Sequence, residues 1–289
     1  MKAAPGRTLR EALLTAPSFV WLTLLFALPT LFVFAIALRN PNPYGGIGPG
    51  WTPANLGRMA GPGTLDILLR TLWISALTSF VCLALAVPIG YVLARVERRW
   101  RGFLLMLVVV PFWTSFLVRV FAWKALLHPE GPVKRILVAV GLAGPQTSLL
   151  YNAGAVVLVS VYTFLPFTIL PVYAAAEKFD FRLLEAARDL GARRWRAFRT
   201  VFLPGIRRGL WTGLLFVLIP SLGSYVIPDI VGGPSSELLG NKIAQRVFVD
   251  RNLPQASALS VALILAVLAP LAAAFFLERK KERPEGILR

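Results

Sequence analysis

Six stretches run for a membrane-spanning length without a single Asp, Glu, Lys or Arg: 12–38, 71–94, 102–118, 136–176, 209–228 and 252–277. A spanning helix needs about 20 mostly apolar residues. Lipid offers no partner to a free N–H or C=O, so runs of this length must satisfy their backbone internally, as helices. The fourth run is too long for one span. Gly141-Leu-Ala-Gly-Pro145 and Tyr151-Asn152 break it, which places its helix at 153–176. The third run extends past Arg119 to Leu127. The expectation is an all-α membrane protein with six transmembrane helices, at 12–38, 71–94, 102–127, 153–176, 209–229 and 255–277.

Composition agrees. Hydrophobic residues make up 56% of the 289 and charged residues 16%. A soluble domain carries roughly 25% charged residues, and a disordered chain combines low hydrophobicity with high charge. The start of the chain is similar to a secretory signal, with Lys2, Arg7 and Arg10 before an apolar run that reaches Ala35-Ile-Ala37. Signal cores are only about 7–15 residues long. The run here is far longer, and an uncleaved first helix is expected.

The net charge of +17 raises the question of nucleic acid. The position of the charges answers it. Lys2, Arg7 and Arg10 precede the first span, and Arg95, Arg98, Arg99 and Arg101 follow the second. Nine basic residues from Lys178 to Arg208 follow the fourth, and Arg279, Lys280, Lys281, Arg283 and Arg289 follow the sixth. Most of the 31 basic residues thus fall on one side. Positive loops stay in the cytoplasm, so both termini are expected there. Orientation and anionic lipid account for the basic excess without nucleic acid.

The domain organisation that follows is a cytoplasmic segment at 1–11, one transmembrane domain at 12–277 and a basic tail at 278–289. A cytoplasmic loop lies at 177–208. Cys82 and His128 are single and distant, so no metal site is expected. The phosphate loop G-x-x-x-x-G-K-[ST] is absent, and no nucleophile–base pair stands out. The chain is therefore not expected to be an enzyme by itself or to bind a cofactor.

The loop EKFDFRLLEAARDLGARRWRAFRTVFLPGIRR, at 177–208, is the most informative segment. Asp180 is placed to cap a short helix. Leu183, Leu184, Ala187 and Leu190 form an apolar stripe, and Gly191 suits the position just past a helix end. A second amphipathic piece carries Trp195, Phe198, Val201 and Phe202, and Pro204-Gly205 ends it. Helices this short are unstable alone and must dock on something.

Glu185-Ala186-Ala187, Asp189, Gly191 and Leu203-Pro204 resemble the EAA loop of ABC importer permeases. Val201 departs from the usual Ile. The resemblance implies a coupling helix seated on a cytoplasmic ATPase, with Ala186 and Ala187 allowing close approach. Glu185 would touch the ATPase or brace the loop, and Gly191 would make the turn. Other segments resemble the spermidine/putrescine permease group: Pro111-Phe-Trp-Thr-Ser-Phe-Leu-Val-Arg119, Leu165-Pro166-Phe167, Pro228-Asp229, Gly232-Gly233-Pro234 and Gly240-Asn241. The resemblance implies the type I importer transmembrane domain in a bacterial inner membrane. It implies as partners an ATP-binding subunit dimer that holds the ATP and Mg, a second permease subunit in a heterodimer, and an extracytoplasmic binding protein.

The solute expected from the resemblance is a polyamine. One departure is Gly223-Ser224-Tyr225, where the group usually carries an acid before Pro-Asp, and relatives import amino-acid-like solutes. Candidate pathway residues are Trp113, Arg119, Tyr225 and Asp229. Aromatic faces and a carboxylate attract ammonium. Arg119 would repel a polyamine unless it pairs or snorkels. Helix packing or the interfacial belt is the more ordinary role of Trp113 and Tyr225, and an interfacial position or cap that of Asp229. An ion-coupled transporter is the alternative class, and such proteins often carry inverted repeats and discontinuous helices.

Overall fold

The computed structural model describes residues 5–59, 61–142, 144 and 146–281. They form two compact units, one drawn from 1–65 and 242–289 and the other from 66–241.

The first unit opens with α1 (Pro5–Leu22), a π-helical turn (Thr23–Ala27) and α2 (Leu28–Ala37). The apolar part, Leu14–Ala37, is exposed over nearly its whole circumference. A helix that is apolar all round and left this exposed belongs in lipid or against another subunit. The Pro- and Gly-rich segment that follows folds into an antiparallel hairpin of β1 (Arg39–Pro41) and β2 (Ile47–Trp51). Gly45 and Gly46 make its turn at positive φ. On α3 (Ala54–Met59), the buried Asn55 donates to the carbonyls of Ala37 at 3.1 Å and Arg39 at 2.8 Å. It thereby serves the unpaired acceptors at the end of α2.

Next is α4 (Pro62–Arg95), longer than the charge-free run because Asp66 and Arg70 pair at 2.6 Å one turn apart and extend the helix. The sequence reads 102–127 as one helix, and the structure corrects this. There are two, α5 (Arg98–Val109) and α6 (Phe116–Leu127), joined by a 3-10 turn at Val110–Trp113 and bent by 90°. Pro111 cannot donate into the helix. Thr114 closes the turn by donating its hydroxyl to the Pro111 carbonyl at 2.7 Å, and this bond competes with helix continuation.

After α7 (Pro132–Ala139), α8 (Ala153–Glu177) is capped by Asn152, whose side-chain oxygen accepts from the Ala155 N–H at 2.9 Å. It is the most buried of the long apolar helices. It continues unbroken through Pro166 and Pro171. Three short helices follow: α9 (Arg182–Asp189), α10 (Arg194–Ala197) and, after a π turn, α11 (Leu203–Gly205). A 72° bend leads into α12 (Arg207–Leu222).

The span read as 209–229 is also divided, and this is a second correction. α12 ends at Leu222, and α13 (Val226–Val231) resumes after Tyr225. The interruption is held from a distance. Within α14 (Leu239–Phe248), Asn241 donates to the Tyr225 carbonyl at 2.9 Å and accepts from the Leu238 N–H at 3.3 Å. The neighbouring Gly240 lies so close that a Cβ there would stand 2.6 Å from the Ser224 carbonyl oxygen. Finally α15 (Leu253–Lys281) packs on α2 and α3 in the first unit, around Ala37, Ala258 and Val261.

The helix pair α8 and α12 forms the spine of the second unit. A Cβ on Gly209 would lie 2.4 Å from the Ala175 Cβ, and one on Gly213 would lie 3.0 Å from a Thr168 methyl. Small residues four apart let two backbones approach closely, as in membrane helix pairs. Counted by length and apolarity, three helices cross a bilayer outright and the two bent pairs bring the number to five. Leu253–Leu268 is a shorter apolar stretch of α15.

Candidate coupling elbow and transmembrane pathway

The segment between α8 and α12 folds as a braced elbow. Asp180 accepts from the Arg182 N–H at 3.0 Å and starts α9. At the other end, Gly191 has φ +87°. Its N–H bonds the Arg188 carbonyl at 2.9 Å, and the Ala192 N–H bonds the Ala187 carbonyl at 3.0 Å. This pair of bonds is the Schellman closure, which needs a left-handed residue and so favours glycine.

An aromatic cluster fixes the elbow to the rest of the unit. Phe181 meets Tyr91 of α4 at 5.9 Å, Phe179 at 5.4 Å and Phe202 at 6.1 Å between ring centroids. Tyr91 also meets Phe202 edge-on at 5.0 Å. Arg95 lies over Tyr91 at 5.4 Å and Phe181 at 5.6 Å. Edge-to-face pairs and a cation on the ring face each add to plain burial. Leu184, Ala197, Phe202 and Ile206 are buried beneath.

The coupling candidates divide by face. Ala187 and Leu203 pack partly into this core. Glu185, Ala186, Asp189, Gly191 and Pro204 are exposed. Glu185 and Asp189 line one polar groove together with Arg188, Ala192, Arg193 and Arg194. Leu190, 90% exposed, projects an apolar side chain beside it. The elbow therefore holds a rigid inner face and presents an outer face of mixed charge and apolar surface.

The pathway candidates sit at the two helix interruptions. Trp113 ends the 3-10 turn and is 74% exposed. Tyr225 closes the second interruption and is exposed, as is Asp229 on α13. Arg119, on α6, is half-buried and lies over the ring of Phe112 at 5.1 Å. Phe112 in turn meets Phe167 of α8 edge-on at 5.0 Å. α6 and α13 pack against one another, so the two interruptions lead into adjoining helices. Cys82 is buried, with its thiol 3.7 Å from the Val161 carbonyl.

Sequence reasoning passes over three groups that the structure brings to prominence. The first is the Tyr91–Phe181–Phe202 clamp, whose partners are far apart in the chain. The second is the Gly205, Gly209 and Gly213 series, whose four-residue spacing is a readable signal. The third is Arg101, which joins α5 to the end of α8 through Glu177 at 2.7 Å.

Residues 86–282 match the family described as "Binding-protein-dependent transport system inner membrane component". The chain belongs to this family. It is a permease component of an ABC importer, embedded in the inner membrane and without the ATPase function of such systems. The matched region contains the elbow and both interruptions. Among curated relatives, the chain is 34% identical over 245 residues to "Spermidine/putrescine transport system permease protein PotB" of Haemophilus influenzae, covering 85% of this chain and 86% of that one. It is 31% identical over 247 residues to the protein of the same name from Escherichia coli K12, covering 86% and 90%. Among solved structures, a bacterial ABC transporter involved in import of the acidic polysaccharide alginate has a TM-score of 0.72 at 16% identity, over 94% of this chain and 96% of that one. At that identity the likeness is one of fold.

Proposed function

We propose that this permease carries a small polycation of the spermidine or putrescine class, delivered by an extracytoplasmic binding protein. The names of the two curated relatives support the solute class. The proposal includes six spans with both termini in the cytoplasm. It also includes a second permease subunit in a heterodimer, and an ATP-binding pair that holds ATP and Mg and docks on the elbow. This chain needs no cofactor of its own.

The observation that carries the coupling reading is the elbow itself. α9 is too short to be stable alone, yet it is capped at both ends and clamped through Phe181 to α4. A load applied to the outer face at Glu185, Ala186, Asp189 and Leu190 is thereby delivered to α4, α8 and α12. ATP favours the closed ATPase dimer, and a ligand that binds two states unequally shifts their balance. The elbow then moves with the ATPase, and the helix pair packed through Gly209 and Gly213 moves as one body. Leu203 and Pro204 lie just before the 72° bend, where that motion enters α12.

The test is purification of the intact assembly in mild detergent, with mass spectrometry of what remains bound, followed by reconstitution and uptake assays. The expected result is an ATP-binding subunit, a second permease and ATP-dependent uptake of spermidine or putrescine with the cognate binding protein. A chain that emerges alone and transports on an ion gradient would sink the ATP-driven reading.

A further inference from the structure

One face of α4 carries a run of hydroxyls that neither the elbow nor the two interruptions use. Thr71, Ser75, Thr78 and Ser79 follow the three- and four-residue spacing of a single helix face, and all four are fully buried. Two of them are satisfied. The Thr71 hydroxyl donates to the Ile67 carbonyl at 2.7 Å and accepts from the Leu239 N–H, at the start of α14, at 2.9 Å. The Ser79 hydroxyl donates to the Ser75 carbonyl at 2.7 Å. The other two are not satisfied. Ser75 Oγ and Thr78 Oγ1 are buried with no hydrogen-bond partner among the described residues. A helix offers such a hydroxyl the carbonyl four residues back, and these two leave it. Alanine and valine would fill nearly the same space without a buried, unbonded hydroxyl. Two such groups within one turn therefore call for a cause.

Their place supplies one. Ile74 and Cys82, on either side of them along α4, belong to the core shared by Val120 of α6, Val156 of α8, Val217 of α12 and Ile227 of α13. α6 follows the first interruption, and α12 and α13 flank the second. The bond from Leu239 to Thr71 closes α4 onto the helix whose Asn241 holds the second interruption. Ser75 lies one turn along α4 from that bond, about 6 Å, and Thr78 about 10 Å. We infer that Ser75 and Thr78 are pathway residues held here in their closed arrangement, and that the solute meets them when α4 and α14 part at Thr71. Their oxygens then accept hydrogen bonds from the solute's ammonium groups, a step that rests on the polyamine reading above. A neutral hydroxyl holds an ammonium less firmly than a carboxylate does, and a pathway must let its cargo leave. The unbonded hydroxyls burden the closed arrangement alone, and so they favour opening.

The experiment uses the complete permease–ATPase complex in lipid vesicles, with Cys82→Ala removing the one native thiol of this chain. Ser75→Cys, Thr78→Cys and, as a buried apolar control, Ile74→Cys are treated with a small cationic thiol reagent. Labelling is compared between the nucleotide-free complex and one trapped with ATP, vanadate and the binding protein. Labelling follows the population of the open arrangement. Cysteines at 75 and 78 are expected to react at least about tenfold faster in one of the two states, and the control to stay silent in both. Silence at 75 and 78 in both states overturns the inference, as does equal labelling in both, or labelling of the control alongside them. Thr78→Val and Ser75→Ala give a second readout. Each is expected to leave the complex as heat-stable as the wild type or more so, and to slow spermidine uptake about three- to tenfold, the worth of one hydrogen bond. Normal uptake by both variants overturns the inference, also where the cysteine variants fail to assemble. A wild type that takes up neither spermidine nor putrescine overturns the polyamine reading and the ammonium step with it. The labelling needs no polyamine, so it still decides whether the two hydroxyls line the pathway.

Discussion

Arg101 donates through Nη1 to Glu177 at 2.7 Å while its Nη2 reaches the Ala94 carbonyl at 3.2 Å and the Val96 carbonyl at 3.4 Å. One side chain thus closes the end of α4, opens α5 and ties both to the end of α8. The pair is half-exposed, so the ion pair alone is worth under about 1 kcal/mol. The carbonyl contacts matter more, because a cation near a helix C-terminus offsets its free acceptors. Arg101→Ala is expected to lower the melting temperature of the purified complex by several degrees, and Glu177→Gln by much less. Equal shifts would mean that the ion pair, and not the carbonyl capping, carries the junction.

Gly209 offers a sharper test of packing. A Cβ there collides with Ala175 at 2.4 Å and with the Pro171 carbonyl oxygen at 2.8 Å. Gly209→Val is expected to cost about 1–3 kcal/mol, as overpacking does, and to reduce the amount of folded protein in the membrane. Gly102, inside α5, has nothing within 4 Å of its Cβ position. Gly102→Ala is expected to be neutral or slightly stabilising, since alanine is the better helix former. Protease resistance of the two variants in membranes checks the contrast. A tolerated Gly209→Val would show that α8 and α12 separate more easily than this packing implies.

Gly191 separates coupling from stability. Its φ of +87° places a branched side chain in a conformation that costs about 1–2 kcal/mol, yet the space around it is open. Gly191→Val is expected to misdirect α9 while the spans stay intact, giving normal membrane levels, ATP hydrolysis and poor uptake. Gly191→Asn, which visits the left-handed region more readily, should retain most of the uptake. The ratio of solute imported to ATP hydrolysed reads this directly. Normal uptake by Gly191→Val would remove the turn from the coupling path.

Much of this architecture was legible in the chain because a bilayer imposes a one-dimensional rule. A span must be long, apolar and free of charge, and 153–176 obeys it so well that α8 begins at Ala153. The Gly191 turn was legible for a similar reason, since its need for positive φ is local. The interruptions were not. Pro166 and Pro171 sit in an unbroken helix, whereas the chain turns by 90° just after Pro111. The proline alone does not separate these cases; the Thr114 hydroxyl on the Pro111 carbonyl does, where Ile169 and Ala174 stand three residues after the other two. The second interruption is fixed by Asn241, sixteen residues beyond Tyr225, and the elbow is fixed by Tyr91, ninety residues before Phe181. Such partners are set by tertiary packing, which overrides what a short window encodes.

That dependence makes Asn241 the most direct test of whether the second interruption matters to transport. Its side chain satisfies the Tyr225 carbonyl and the Leu238 N–H together. Asn241→Ala leaves both groups without a partner in a largely buried place, at about 1–3 kcal/mol for each. The change is expected to free Ser224 and Tyr225 while leaving the hydrophobic contacts of α13 in place. Uptake should fall at least tenfold, and a cysteine at Ser224 should become more reactive to a membrane-impermeant thiol reagent. Asn241→Asp keeps the acceptor for Leu238 but loses the donor for Tyr225, so it should lie between the wild type and Asn241→Ala. If Asn241→Ala transports normally and the cysteine is no more accessible, the interruption is maintained by α12 and α13 themselves. The bonds from α14 would then be incidental to the pathway.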